Sequence, residues 1–141
     1  MVRDFVVNID WQRNIPILLE SISEIGIGIV FLSFNIGSVI GYGFVLFGII
    51  QLIRKVKTFH LSSTTLTIKR PLFPLKLFEE SFCVDKIDKI EFIDLIGRGP
   101  YIKIYSIKKD GGFILAASKN KITEFESALL NLGIEVSRKD V

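Results

Sequence analysis

Histidine, cysteine and tryptophan each occur once in the 141 residues. The single histidine, His60, has no cysteine near it in sequence, which leaves neither a zinc-ligand set nor the base of a nucleophilic triad. Cys83 has no second cysteine with which to close an internal disulfide, a usage that suits a reducing compartment. Among Ser81, Phe82 and Val84 and without a histidine partner, it reads as a small buried hydrophobe. Strong charge of one sign is also missing. Eighteen Lys and Arg against 15 Asp and Glu leave a net charge of +3, and the basic residues are dispersed, so no nucleic-acid-binding arm is expected. Gly97-Arg98-Gly99-Pro100 lacks the remainder of a dinucleotide fingerprint and no helical pattern follows it, so it reads as a turn. Asp85, Asp88, Glu91 and Asp94 recur at three-residue steps. That spacing would gather them on a helix but scatters them over both faces of a strand, where they are solvated. The chain is expected to be non-catalytic, with no metal and no cofactor.

The most telling absence is of charge between Ile25 and Ile53, where no Asp, Glu, Lys, Arg or His occurs before Arg54, Lys55 and Lys57 close the run. A bilayer needs ~20 apolar residues per helical span and is ~30 Å thick in its hydrocarbon core, so this run is too long for one straight span. Counting back through Glu24 and Glu20, the apolar tract starts at Ile15. It fits two antiparallel membrane helices, about 15–34 and 36–53, turning at Ser33-Phe34-Asn35-Ile36-Gly37-Ser38. Arg3 and Arg13 precede the first helix, Arg54, Lys55 and Lys57 follow the second, and the turn carries no charge. Basic residues beside a span are retained in the cytoplasm, so both ends are expected there. Met1 to Asn14 shows no cleavable-signal pattern, and Trp11 precedes the first helix at an interfacial position.

Glu20 and Glu24 lie four apart on one face, with Ser21 and Ser23 beside them, and carboxylates at membrane depth are costly unless paired or near water. Two readings are open: a wet first turn in the headgroup layer, or a polar contact to another membrane subunit. Gly37 and Gly41 have small-xxx-small spacing and Gly48 continues near that side, allowing a close helix approach. The approaching helix is either the first helix, through Gly26 or Ser33, or a second protein.

Beyond residue 57 the pattern becomes strand-like. Leu66-Thr67-Ile68, Ile87 to Ile96 and Tyr101 to Ile107 are rich in β-branched and aromatic residues. Lys109-Asp110-Gly111-Gly112 before Phe113-Ile114-Leu115 predicts a tight Asp-Gly hairpin. Asp4 to Asp10 alternates as a strand would, with a loose tail as the other reading. A final helix is expected over 119–132, capped by Ser118, ended by Gly133, and presenting Ile122, Phe125, Leu129 and Leu132 as one stripe.

The segment from Phe59 to Val136 resembles the bacterial pleckstrin-homology-like domains that accompany membrane hairpins. The likeness lies in Leu66-Thr67-Ile68-Lys69-Arg70 leading to a turn, Val84 to Phe92 as the next strand, Tyr101-Ile102-Lys103-Ile104-Tyr105, the Asp110-Gly111 turn and the closing helix. The resemblance implies an α+β fold, a bent antiparallel sheet closed into a PH-like barrel by a C-terminal helix. The chain then divides into a membrane α-helical hairpin with its leading segment, 1–57, and a cytoplasmic domain, 58–141, in a bacterial inner membrane.

In pleckstrin-homology domains the loop corresponding to Lys69 to Phe78 often touches lipid headgroups. Here that stretch mixes Lys69, Arg70 and Lys76 with five large apolar residues around Pro71 and Pro74, suited to anionic headgroups and apolar insertion, or else its end, Leu75 to Phe78, begins a core strand. The candidate residues are Lys69, Arg70, Lys76, Arg54, Lys55 and Lys57 for lipid, and Glu20, Glu24, Gly37, Gly41 and Gly48 for helix packing or a protein partner, a homo-oligomer included. The expected function is a membrane-anchored module that binds protein or lipid, and the alternative is an accessory subunit of a larger membrane complex.

Overall fold

A computed structural model of the chain describes residues 4–8, 11–72, 75–95, 99–115 and 117–140. Strand β1, Phe5–Val7, leads into helix α1, Trp11–Ser33, which turns into helix α2, Ser38–Lys55. Both helices are offset from the expected 15–34 and 36–53. The first begins four residues earlier because a polar first turn can be helical without contributing to an apolar pattern. At the hairpin turn Asn35 and Gly37 take left-handed backbone, φ 54° and 68°, conformations that asparagine and glycine tolerate best. Arg3, Gly97 and Arg98 lie outside the described residues, as do the side chains of Trp11 and Arg13.

After α2, Val56 is buried and its N–H reaches back to Leu52 O at 3.1 Å, ending the helix in extended backbone. Strands β2 (Thr58–Leu61), β3 (Thr65–Lys69) and β4 (Glu80–Cys83) join β1 in an antiparallel sheet of order β1-β2-β3-β4. The strand reading of the N-terminal segment therefore holds over Phe5–Val7. Strands β5 (Ile87–Leu95), β6 (Gly99–Ser106) and β7 (Gly111–Ile114) form a second antiparallel set. Helix α3, Lys119–Asn131, follows, and then β8, Glu135–Asp140, pairs parallel to β5 to complete the order β7-β6-β5-β8.

Four expectations are corrected. Among the described residues the two four-stranded sheets share no strand ladder, so no closed barrel forms. The link from β4 to β5 is a 3₁₀ turn, Val84–Lys86, that swings the chain between sheets where a barrel would continue the ladder. The helix is not the final element, and the sheet is not wholly antiparallel. Gly133, at φ 77°, reverses the chain, Ile134 is buried, and the segment returns beside β5. The Asp-Gly turn is absent as well. Ile104 already faces Gly111 and neither Asp110 nor Gly111 has positive φ, so the strands are joined by a loop over 107–110, closed by Ser106 N–H donating to Asp110 Oδ1 at 3.3 Å. Gly111 serves packing: an added Cβ would lie 2.8 Å from Phe82 Cζ.

The core lies between the sheets and under α3. Alternate residues of each strand point inward, including Phe59, Leu66, Ile68, Ile90, Ile102 and Ile104. Helix α3 has the expected cap, with Lys121 N–H donating to Ser118 Oγ at 3.3 Å, and buries Ile122, Phe125 and Leu129, with Leu132 partly buried. The Phe125 ring meets Phe5, Phe59 and Phe92 at centroid distances of 6.0, 6.1 and 6.2 Å.

Candidate functional site

Two regions gather the candidate residues: the hairpin itself and the junction at its root.

In the hairpin, helix packing is set by glycines. An added Cβ at Gly48 would lie 2.6 Å from Ile25 Cγ1 and 2.8 Å from Ser21 O, and one at Gly41 would lie 2.8 Å from Leu32 Cγ. The facing small residue on α1 is Gly28, whose added Cβ would come within 2.7 Å of Gly41 O. Spacing within α2 alone could not reveal Gly28, because only an antiparallel register aligns it with Gly41. Gly26 has open space around it, and Ser33 Oγ donates to Ile29 O of its own helix at 2.8 Å. Gly37 stands in the turn. Glu20 receives Lys55 Nζ at 2.8 Å, an ion pair across the mouth of the hairpin. Ser21 Oγ, next to Glu20, and Glu24 Oε2, one turn further in, are buried without a hydrogen-bond partner.

At the root, the strand register brings cations together that are distant in sequence. Thr58 faces Lys69 across the β2–β3 ladder, so Lys69 and Arg70 emerge at the end of the sheet where α2 enters it. Arg54 and Lys57 approach from the helix side. Lys57 is largely buried, with Nζ 4.7 Å from the centroid of the Phe113 ring. Burial, with the neighbouring Arg70 and Arg54 charges opposing the partial support of Glu80, lowers its pKa to about 8. The counter-charge is shared: Arg70 lies 3.6 Å and Lys109 3.2 Å from the two Glu80 oxygens. A cleft of about 290 Å³ opens beside this group, lined by Asn8, Thr58, His60, Lys69, Arg70, Pro71 and Glu79. Burial and Lys69 lower the His60 pKa, which keeps the ring neutral at pH 7.

The remaining residues fall elsewhere. Lys55 belongs to the hairpin mouth, and Lys76 sits on the exposed β3–β4 loop. Leu75 to Phe78 does not begin a core strand: Lys76–Phe78 is a 3₁₀ turn and Leu77 is 86% exposed. Cys83 is exposed, since Leu66↔Phe82 occupies the inner face and the next residue points out. Glu91 accepts from Tyr105 Oη at 2.9 Å and pairs with Lys89 at 2.9 Å, which holds its carboxyl below the usual range. Among the described residues no group of three or more His, Cys, Asp and Glu could hold a metal.

No family model matches the chain. No curated protein matches it either. A solved structure of the Spt16D Pob3N heterodimer is similar at 13% identity with a TM-score of 0.45, over 62% of this chain and 47% of that one. The chain thus spans about half that chain's length, and similarity at this score assigns neither partner nor activity.

Proposed function

We propose that this chain is a non-catalytic binding module anchored in a membrane by the α1–α2 hairpin, with its α+β part held as a PH-like domain at the membrane face. One observation carries the reading. The buried residues of α2 are Gly41 and Gly48, while Val39, Ile40, Leu46, Phe47, Ile49 and Ile50 are exposed. A helix in water buries its large apolar residues and exposes its polar ones, so this inverted arrangement suits hydrocarbon as solvent. Ser38–Lys55 is long and apolar enough to cross a membrane, with mean hydropathy 1.4. Ile22, Ile29 and Val30 of α1 are exposed in the same way.

Arg54, Lys69 and Arg70 at the hairpin root meet the anionic headgroup layer, where each cation near the surface contributes about 1 kcal/mol, with Lys57 buried behind them. Engagement of Gly28, Gly41 and Gly48 inside the hairpin supports a self-contained anchor over an accessory subunit, which would keep its small residues for a partner. The test is extraction of membranes carrying the full chain. The chain is expected to stay in the pellet at alkaline pH and to enter mild detergent without stoichiometric partners. Release by alkali overturns the anchor, and fixed stoichiometric partners overturn the self-contained module.

A further inference from the structure

Where the first sheet meets the hairpin, its core ends in charge. Phe59, Ile68 and Phe82 are buried on the inner faces of β2, β3 and β4. Strand alternation gives the same inward sense to the residue two positions from each toward the hairpin, and those residues are Lys57, Arg70 and Glu80, all half-buried. Their pairing is unequal. Glu80 receives Arg70 at 3.6 Å and Lys109 at 3.2 Å, while Lys57 Nζ makes no hydrogen bond and no ion pair among the described residues and rests 4.7 Å from the centroid of the Phe113 ring. Other lysines are provided for: Lys55, Lys89, Lys109 and Lys121 each have a carboxylate oxygen within 3.2 Å. The charges that act on Lys57 are Arg54 from α2, Arg70 from the end of β3 and the already shared Glu80 from β4. A buried primary amine lies among guanidinium groups with no anion of its own.

We propose that Lys57 is an acceptor of carbon dioxide, forming a carbamate that the Arg54 and Arg70 guanidinium groups hold. The Nζ lone pair attacks the carbon of carbon dioxide, an N–C bond forms as one C–O π pair moves onto oxygen, and a proton leaves Nζ for solvent. No oxidant or further reactant is consumed. The product puts an anion where an ammonium stood, and it takes up the cationic excess that a single Glu80 carboxylate leaves among Arg54, Arg70 and Lys109. Only the unprotonated amine reacts, and a pKa of about 8 keeps roughly a tenth of Lys57 in that form at pH 7, far more than an ordinary lysine offers. Size and charge select the electrophile. Carbon dioxide is small and neutral, so it reaches an amine lying against aromatic rings without the desolvation cost that a charged acyl donor bears. Reversible uptake makes the charge at the hairpin root follow dissolved carbon dioxide, an effector role beyond anchoring. The step needs only the folded root and does not rest on the membrane reading.

Carbon NMR of the full chain in mild detergent, equilibrated with isotope-labelled carbon dioxide and bicarbonate near pH 8, tests this. A carbamate resonance separate from those of bicarbonate and carbon dioxide is expected. Ethylation with a trialkyloxonium salt, followed by peptide mass spectrometry of the native chain, should place the adduct on Lys57 without any substitution. The resonance should vanish in Lys57→Met and in Lys57→Arg, which keeps the cation and lacks the nucleophile. Arg70→Gln should lower occupancy several-fold, and Glu80→Gln should raise it, because Glu80 competes for Arg70 and supports the Lys57 ammonium. No resonance in the native chain overturns the proposal. A resonance that survives both Lys57 variants belongs to the Met1 amine or a surface lysine and overturns it as well. Equal occupancy in Arg70→Gln and Glu80→Gln overturns the arginine clamp and the proposal with it.

Discussion

At the scale of single residues, this protein places its strain where charge and close packing coincide. Lys57 loses its proton near pH 8 when folded but near the ordinary 10.5 when unfolded, so between those values the unfolded chain binds more protons. Stability therefore rises as pH climbs from about 8 toward 10.5, and below pH 8 the cost of the buried cation is present in full. In zwitterionic detergent, Lys57→Met, which keeps the stem over Phe113 and drops the charge, is expected to raise the denaturation midpoint at pH 7 and to flatten its rise through this window. A variant with an unchanged pH profile would remove Lys57 from the balance.

The glycines make the second residue-scale case. Gly48→Leu must push α1 away, because even the first added carbon meets Ile25 and the Ser21 carbonyl inside 3 Å, and overpacking of this kind costs about 1–3 kcal/mol. Gly43→Ala meets nothing within 4 Å and should gain up to about 1 kcal/mol from helix propensity. Thermal unfolding of the two variants in the same detergent should move in opposite directions.

At the scale of elements, α3 is the part whose sequence and structure agree most closely, and its energetics follow. Phe125 is fully buried against rings from both sheets, so Phe125→Ala should cost about 3–5 kcal/mol, a large share of a small domain's stability. Loss of the Ser118 cap in Ser118→Ala should cost about 1 kcal/mol. Denaturant titration of the full chain checks both, and near-equal losses would mean that the helix does not close the core. The helix was legible because its signals are local: a capping hydroxyl, a three-four apolar rhythm and a glycine at the stop.

The elements that sequence misplaced depend on distant partners. Strand β8 follows what sequence takes as the final element, the helix, and is placed by Ile90, which supplies the neighbour for Val136. The Asp-Gly pair signals a tight turn, yet Gly111 is held instead by the need to clear Phe82 and Phe113. The Glu20–Lys55 pair spans thirty-five positions of sequence separation, so sequence alone left Glu20 open between a wet first turn and a contact to another subunit. The basic root was partly legible as clusters at 54–57 and 69–70. That they converge required the Thr58↔Lys69 register.

At the scale of the whole molecule, β1 and β2 constrain the proposed anchor more tightly than charge does. Strand β1 precedes α1, β2 follows α2, and the two are paired with Val7 opposite Phe59. If α1 and α2 enter a membrane as proposed, this pairing requires that they leave and return on the same side. Charge then chooses the side. Arg54 and Lys55 stand at the strand-bearing end, while Phe34, Asn35, Ile36 and Gly37 at the tip carry none, so the sheets are expected in the cytoplasm. The exposed native Cys83 reports this without any engineering, because it sits on the outer face of β4. In intact cells Cys83 should resist a membrane-impermeant maleimide and react once the membrane is permeabilised. With Cys83→Ser and Ile36→Cys, the tip should show the reverse, reacting from outside. Labelling of Cys83 in intact cells would put the domain outside, and protection at both positions before permeabilisation would mean that the hairpin dips into the bilayer without reaching the far surface.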